Sequence, residues 1–167
     1  MVICTNLWGK TPMNRRTLML GLAYIGLGLP AGSVLAEGNF PFTLSDDAWR
    51  ARLSPAAFAV LREEDTEPAG SSPLDRESRT GTFHCAGCDQ AVYSSAHKFD
   101  SGTGWPSFWQ AVAGGTGTKP DPGLFGSRTE EHCSNCGGHL GHVFDDGPAP
   151  TGRRHCINGV ALTFKAS

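Results

Sequence analysis

Residues 133–144 read Cys133-Ser134-Asn135-Cys136-Gly137-Gly138-His139-Leu140-Gly141-His142-Val143-Phe144, and the first four of them decide the fold. They form a C-x-x-C turn, and Cys85-Ala86-Gly87-Cys88 forms a second one. Two such turns far apart in a chain suit one tetrahedral zinc ion, because each presents two thiolates at about 2.3 Å from a shared metal. The chain has 6 cysteines, so Cys4 and Cys156 remain outside the turns. Cys4 precedes what reads as an export signal. In the mature chain Cys156 is then the cysteine not holding metal, and the candidate nucleophile.

Working outward, His139 and His142 lie three residues apart directly after the second turn. Alone, this spacing fits a metal site, two surface histidines or an acid/base pair. Four thiolates already close a structural zinc shell, which weakens the metal reading. Further on, Cys156, Asn158, Val160, Leu162 and Phe164 share one parity. In a continuous strand they project to one face, with the polar pair neighbouring at its end. On spacing alone, an inert buried thiol and a reactive one both remain open. Arg153 and Arg154 precede His155-Cys156, and adjacent cations favour thiolate. Lowering a thiol pKa from about 8.5 to about 7 raises the ionised fraction at pH 7 from about 3 % to about half. Pairing of these arginines with Asp145 and Asp146 is the plainer alternative.

The run Gly102-Thr103-Gly104-Trp105-Pro106-Ser107-Phe108-Trp109 is an aromatic cluster held by Gly and Pro. It reads either as a core plug or as the wall of an apolar pocket suited to a thioether methyl group. Upstream, Ser45 and Ser54-Pro55 are helix caps, and helix spacing continues to about Leu61. Residues 65–81 are rich in Pro, Gly, Ser and charge and read as a surface loop. From Thr82 onward the segments are short, interrupted by Gly and Pro and enriched in Phe, Val and Tyr, which is a β-rich body. Gly114 to Gly126 reads as a mobile loop.

The first 36 residues carry Arg15 and Arg16, an apolar stretch from Leu18 to Leu29, and Val34-Leu35-Ala36 as a cleavage signal. They read as a cleaved, twin-arginine-like export signal, with residues 37–167 as one periplasmic domain beginning at Glu37. Met13 is a plausible true start. The leader holds three of the 14 basic residues and none of the 16 acidic ones, so the mature domain carries a net charge near −5. An acidic surface without a Lys/Arg run argues against nucleic acid as a partner.

Taken in order, Cys85-x-x-Cys88, Asp100-Ser101-Gly102-x-Gly104-Trp105-Pro106-Ser107-Phe108, Cys133-x-x-Cys136, His139-Leu140-Gly141-His142-Val143-Phe144, Gly147-Pro148, Thr151-Gly152 and Arg154-x-Cys156-x-Asn158 resemble methionine-R-sulfoxide reductases of the B type, from about Phe42 to Phe164. The resemblance implies a mainly β fold: two antiparallel sheets forming an open, barrel-like body, with short N-terminal helices and a structural zinc on Cys85, Cys88, Cys133 and Cys136. It implies reduction of the R epimer of methionine sulfoxide, free or protein-bound, by a monomer. It assigns Cys156 as nucleophile and His142 as the acid that protonates the sulfoxide oxygen. His139 and Asn158 orient substrate and water, Trp105 and Phe108 receive the ε-methyl, and Arg154 sits beside the nucleophile. Attack would leave a sulfenic acid on Cys156.

Many members carry a recycling cysteine where this chain has Thr103, so regeneration falls to an external thiol, thioredoxin-like or small. His155 stands where the family often has Tyr or Phe. Two other readings stand beside this one. A non-catalytic zinc-bearing β binding module does not require Cys156, the histidines and the aromatic pocket together. A metal-dependent hydrolase using His139 and His142 lacks a third ligand and a carboxylate base at motif spacing.

Overall fold

The computed structural model describes residues 39–123 and 126–167; the export segment, Cys4 and the cleavage signal lie outside them. Two short helices open the described chain, α1 (Asp46–Arg52) and α2 (Pro55–Glu63). Each starts where the caps predict. Ser45 Oγ accepts from Ala48 N and Ser54 Oγ from Ala57 N, satisfying amides that have no partner within the helix, and Pro55 occupies the first turn of α2, where an N–H is dispensable. No helix among the described residues is long and apolar enough to cross a membrane.

Nine strands follow among the described residues: β1 (Gly81–Cys85), β2 (Ala91–Ser94), β3 (Lys98–Phe99), β4 (Ser107–Phe108), β5 (Thr116–Gly123), β6 (Gly126–Cys133), β7 (His139–Phe144), β8 (Arg154–Ile157) and β9 (Leu162–Ala166). They form two antiparallel sheets, one in the order β2-β1-β9 and one in the order β3-β4-β8-β7-β6-β5. The larger sheet ends in free edges at β3 and β5, so the expected barrel-like body is open and does not close.

Between the sheets, Phe83 meets Phe108 edge-on at 5.0 Å and Tyr93 stacks on Phe108 at 4.3 Å. All three are fully buried. Burial of each such ring contributes about 1.5–3 kcal/mol, and favourable ring geometry adds about 0.5–1.5 kcal/mol per pair. The helices complete the core with Trp49, Phe58 and Leu61.

Two expectations are corrected. Within the stretch expected as a loop, Thr116–Gly123 is strand β5, paired with β6 from Thr116↔Cys133 to Gly123↔Gly126. Pro120 and Pro122 suggest a loop, yet β5 is an edge strand, where a missing N–H costs no ladder bond if it faces outward. The C-terminal alternation is likewise not one strand. β8 ends at Ile157, a 3₁₀ turn spans Gly159–Ala161, and β9 joins the other sheet. The break is held by Ala161 N donating to Asn158 O and by the carboxylate of Glu67, which accepts from Gly159 N and Val160 N.

Candidate active site and metal centre

Strand register assembles the site. Cys156 on β8 lies opposite His142 on β7 and opposite Ser107 on β4. Directly paired residues share a face and sequence neighbours take opposite faces. Cys156, His142 and Ser107 therefore project to one side of the sheet, and His155, Val143 and Phe108 to the other. On the Cys156 side lies a cavity of about 180 Å³, lined by Cys156, His142, Asn158, Trp105, Phe144, Gly141, Thr66 and Arg128.

Most of the expected site residues converge there, with a correction at Phe108. Phe108 stacks on Tyr93 in the core and is fully buried, because it alternates with Ser107 on β4. Phe144 provides the second aromatic wall. Trp105 is held in place by Nε1 donating to Glu67 O at 3.1 Å. Arg154 lies over the Phe144 ring at 4.4 Å and grips Asp146 with two hydrogen bonds of 2.8 and 2.9 Å.

Two residues of the expected site are buried and spend polar atoms on the protein. His139 is buried, its Nδ1 3.0 Å from Glu130 Oε1, and its ring lies 5.3 Å from that of His142. Asn158 lines the cavity but uses its amide on backbone: Nδ2 donates to Leu140 O at 3.1 Å and Oδ1 accepts from Glu67 N at 3.0 Å. Glu67 thus ties Trp105, Asn158 and the 3₁₀ turn together. Nothing in the sequence marks it, since an acid in an irregular segment has no periodicity to betray burial. Asp121 falls inside the stretch that reads as a loop, and Arg128 just beyond it carries no motif of its own.

Asp121 sets the chemistry of His142. Its Oδ2 lies 2.9 Å from His142 Nε2 and accepts from Arg128 at 2.6 and 3.0 Å. The His142 bond, then Arg128, hold the Asp121 carboxyl below its ordinary range. An ionised carboxylate only accepts, so Nε2 carries hydrogen and Nδ1 is the free nitrogen of neutral His142. Burial, above all, pushes His142 below the usual imidazole value, with Asp121 opposing and Arg128 and His139 adding to the shift.

The thiol of Cys156 goes the other way from what the flanking arginines suggest. Burial pushes it above the ordinary thiol range, outweighing the lowering effect of Arg154. Arg153 is exposed and lies along the opposite face, and Arg154 shares its charge with Asp146. At rest the site holds a neutral thiol beside a neutral imidazole.

The two C-x-x-C turns share one geometry. Cys85 N donates to Gln90 O and Asp89 N to Cys85 O; Cys133 N donates to Gly138 O and Gly137 N to Cys133 O. Each turn closes on a left-handed residue, Asp89 at φ 63° and Gly137 at φ 68°. The four sulfur atoms lie within 4.8 Å of one another, with Cys85–Cys136 at 3.7 Å and Cys88–Cys133 at 3.5 Å. A tetrahedron with metal–sulfur bonds of about 2.3 Å has edges of about 3.8 Å, so the cluster fits a bound metal with a closed shell. Among the described residues it is the group of His, Cys, Asp or Glu donors that converges in this way. His139 and His142 each meet a carboxylate and belong to no such group among the described residues. Arg52 donates to Gly87 O and Arg62 to Cys136 O, so α1 and α2 brace the metal centre.

Another concavity, about 760 Å³, lies across the sheet, where His155 meets buried Glu131 at 2.8 Å; Cys156 does not line it.

A half-buried thiol facing an imidazole, on a β body with a four-cysteine cluster fit for a metal, is an arrangement for thiol chemistry. A family model described as the SelR domain matches residues 53–166. The chain is 48% identical over 128 residues to peptide methionine sulfoxide reductase MsrB of Thioalkalivibrio sulfidiphilus, covering 76% of this chain and 93% of that protein. It is 50% identical over 122 residues to its counterpart in Bradyrhizobium diazoefficiens, covering 72% and 88%. To peptide methionine sulfoxide reductase B7 of Arabidopsis thaliana it is 43% identical over 141 residues, covering 83% and 95%. The chain belongs to the MsrB family of peptide methionine sulfoxide reductases and is an oxidoreductase.

Proposed function

We propose that this protein reduces the R epimer of methionine sulfoxide, free or within peptides and proteins, to methionine. The reading rests most on Cys156 facing His142 in a cavity walled by Trp105 and Phe144. The Cys156 sulfur supplies the electron pair that reduces the sulfoxide sulfur. The oxygen ends on Cys156 as a sulfenic acid and the substrate leaves as a thioether. His142 takes the thiol proton at Nδ1 and delivers it to the oxygen as the S–O bond breaks, so the step neither gains nor loses protons. The aromatic walls take the methyl group while His142 takes the oxygen. With two substituents of the chiral sulfur placed, one epimer directs the third toward solvent and the other does not.

Regeneration is assigned to an external thiol, from a thioredoxin-like protein or a small molecule. Thr103 Oγ1, not a second sulfur, lies 3.9 Å from Cys156 Sγ, and the other described cysteines belong to the metal cluster. The first thiol displaces water from the sulfenic acid to form a mixed disulfide, and a second releases Cys156. The ion in the four-cysteine shell is zinc, with a structural role, since all-thiolate tetrahedral sites favour it. The domain acts as a monomer in the periplasm after removal of residues 1–36. The test is reduction of a peptide carrying separated R or S methionine sulfoxide: turnover of the R epimer is expected, and preference for the S epimer would overturn the reading.

A further inference from the structure

The loop before β4 brings a chain of hydroxyl groups to the Cys156 thiol, and its direction follows from counting protons. Ser107 Oγ lies 3.0 Å from Trp105 O, which can only accept, so the one hydroxyl proton of Ser107 points there. Ser107 Oγ is also 2.7 Å from Ser101 Oγ and must accept from it. Ser101 has then used its own proton and accepts from Thr103, through Oγ1 at 2.8 Å and the backbone N at 3.4 Å, which fills both lone pairs. Thr103 has in turn used its proton. In its 3.9 Å contact with Cys156 Sγ, the sulfur is therefore the donor and Thr103 Oγ1 the acceptor.

We propose that Ser107 and Ser101 are positioning residues that hold the Thr103 hydroxyl turned away from Cys156 and so lock Cys156 as a neutral thiol between turnovers. A thiolate at position 156 needs a donor. Thr103 supplies one only by rotating its hydroxyl away from Ser101, which gives up an existing hydrogen bond. Neutral thiols react slowly with peroxides and alkylating agents, so the lock shields the nucleophile until a sulfoxide engages it. Charged groups also face the thiol: Arg154 beside it on β8, paired with Asp146; His142 on β7; and Arg128 on β6, paired with Asp121. From β4 and its loop the thiol is met by hydroxyls, with Asp100 turned back to the Gly102 amide. The charges are the same in every variant below, so the hydroxyl chain alone is varied.

The inference rests on Cys156 being the reacting thiol, but its test reads the titration of that thiol and not turnover. The rate of iodoacetamide alkylation at Cys156 is measured against pH in the full chain, resolved by peptide mass spectrometry. Ser107→Ala and Ser101→Ala each free the chain to turn toward sulfur. Both are expected to move the titration to lower pH and speed alkylation near neutrality by about threefold or more, the size of one net hydrogen bond. Thr103→Val removes the donor a thiolate would use and should slow alkylation by a similar factor, whereas Thr103→Ser should match the parent. Ser101 is half-buried, so its variant decides the matter if Ser107→Ala does not fold. Shifts of the same sign in the serine variants and Thr103→Val, or no shift in the serine variants, would overturn the lock.

Discussion

Cys156 and His142 face each other across two hydrogen-bonded strands, and each is held in its neutral form by burial. That combination stores the reaction's proton on sulfur and leaves an empty nitrogen to take it. The sign of the pH dependence follows. His142 can accept a proton only above its own pKa, which lies below the usual 6.5, so the acid limb of kcat/KM should fall below the ordinary imidazole value. Asp121→Asn removes the charge that opposes the shift. It should move the limb lower still and slow turnover by about tenfold, while His142→Ala should slow it by about a hundredfold or more. A pH–rate profile of each variant checks this, and an unmoved acid limb in Asp121→Asn would detach Asp121 from the step. The residue types at this scale were legible in the sequence. Their protonation was not, because Arg153 and Arg154 suggest a thiolate while burial and Asp146 dictate the reverse.

The elements that carry these residues were legible where local chemistry decides them. Ser45, Ser54-Pro55 and the two C-x-x-C turns announce themselves, because a cap or a metal turn is a contact among near neighbours. The β5–β6 hairpin was not, since the edge position that tolerates Pro120 and Pro122 is a property of the sheet and not of the segment. Phe108 failed similarly: its two-residue strand takes its facing from register with β8. Glu67 is the farthest from its signal, accepting from Gly159 N and Val160 N more than 90 positions away in the chain. Glu67→Gln would turn an amide donor toward one of those N–H groups. It should destabilise the fold by about 1–3 kcal/mol in urea titration and raise KM, because Trp105 and Asn158 both depend on the same segment. A parental midpoint and KM would show that the segment is held by other contacts.

For the molecule as a whole, the metal centre is the link between sheets. Cys85 ends β1 of the smaller sheet and Cys133 ends β6 of the larger one, so an ion bound there would close them together while α1 and α2 brace the turns. Structural zinc contributes roughly 10–16 kcal/mol of apparent binding energy, comparable with the roughly 5–15 kcal/mol stability of an entire domain. Chelation under mild denaturant should therefore unfold the body, and Cys85→Ser should melt far below the parent. Purified protein without one bound ion per chain would contradict this. The reaction centre lies on a different part of the larger sheet, which separates the fates of the two sulfur sites. That separation is tested most directly by one turnover of a peptide carrying methionine-R-sulfoxide, without reductant, followed by mass spectrometry. The expected result is one methionine formed per chain and a sulfenic acid trapped by dimedone on Cys156, with Cys85, Cys88, Cys133 and Cys136 unmodified. No methionine formed, or a disulfide between Cys156 and a metal-site cysteine with loss of the ion, would contradict it.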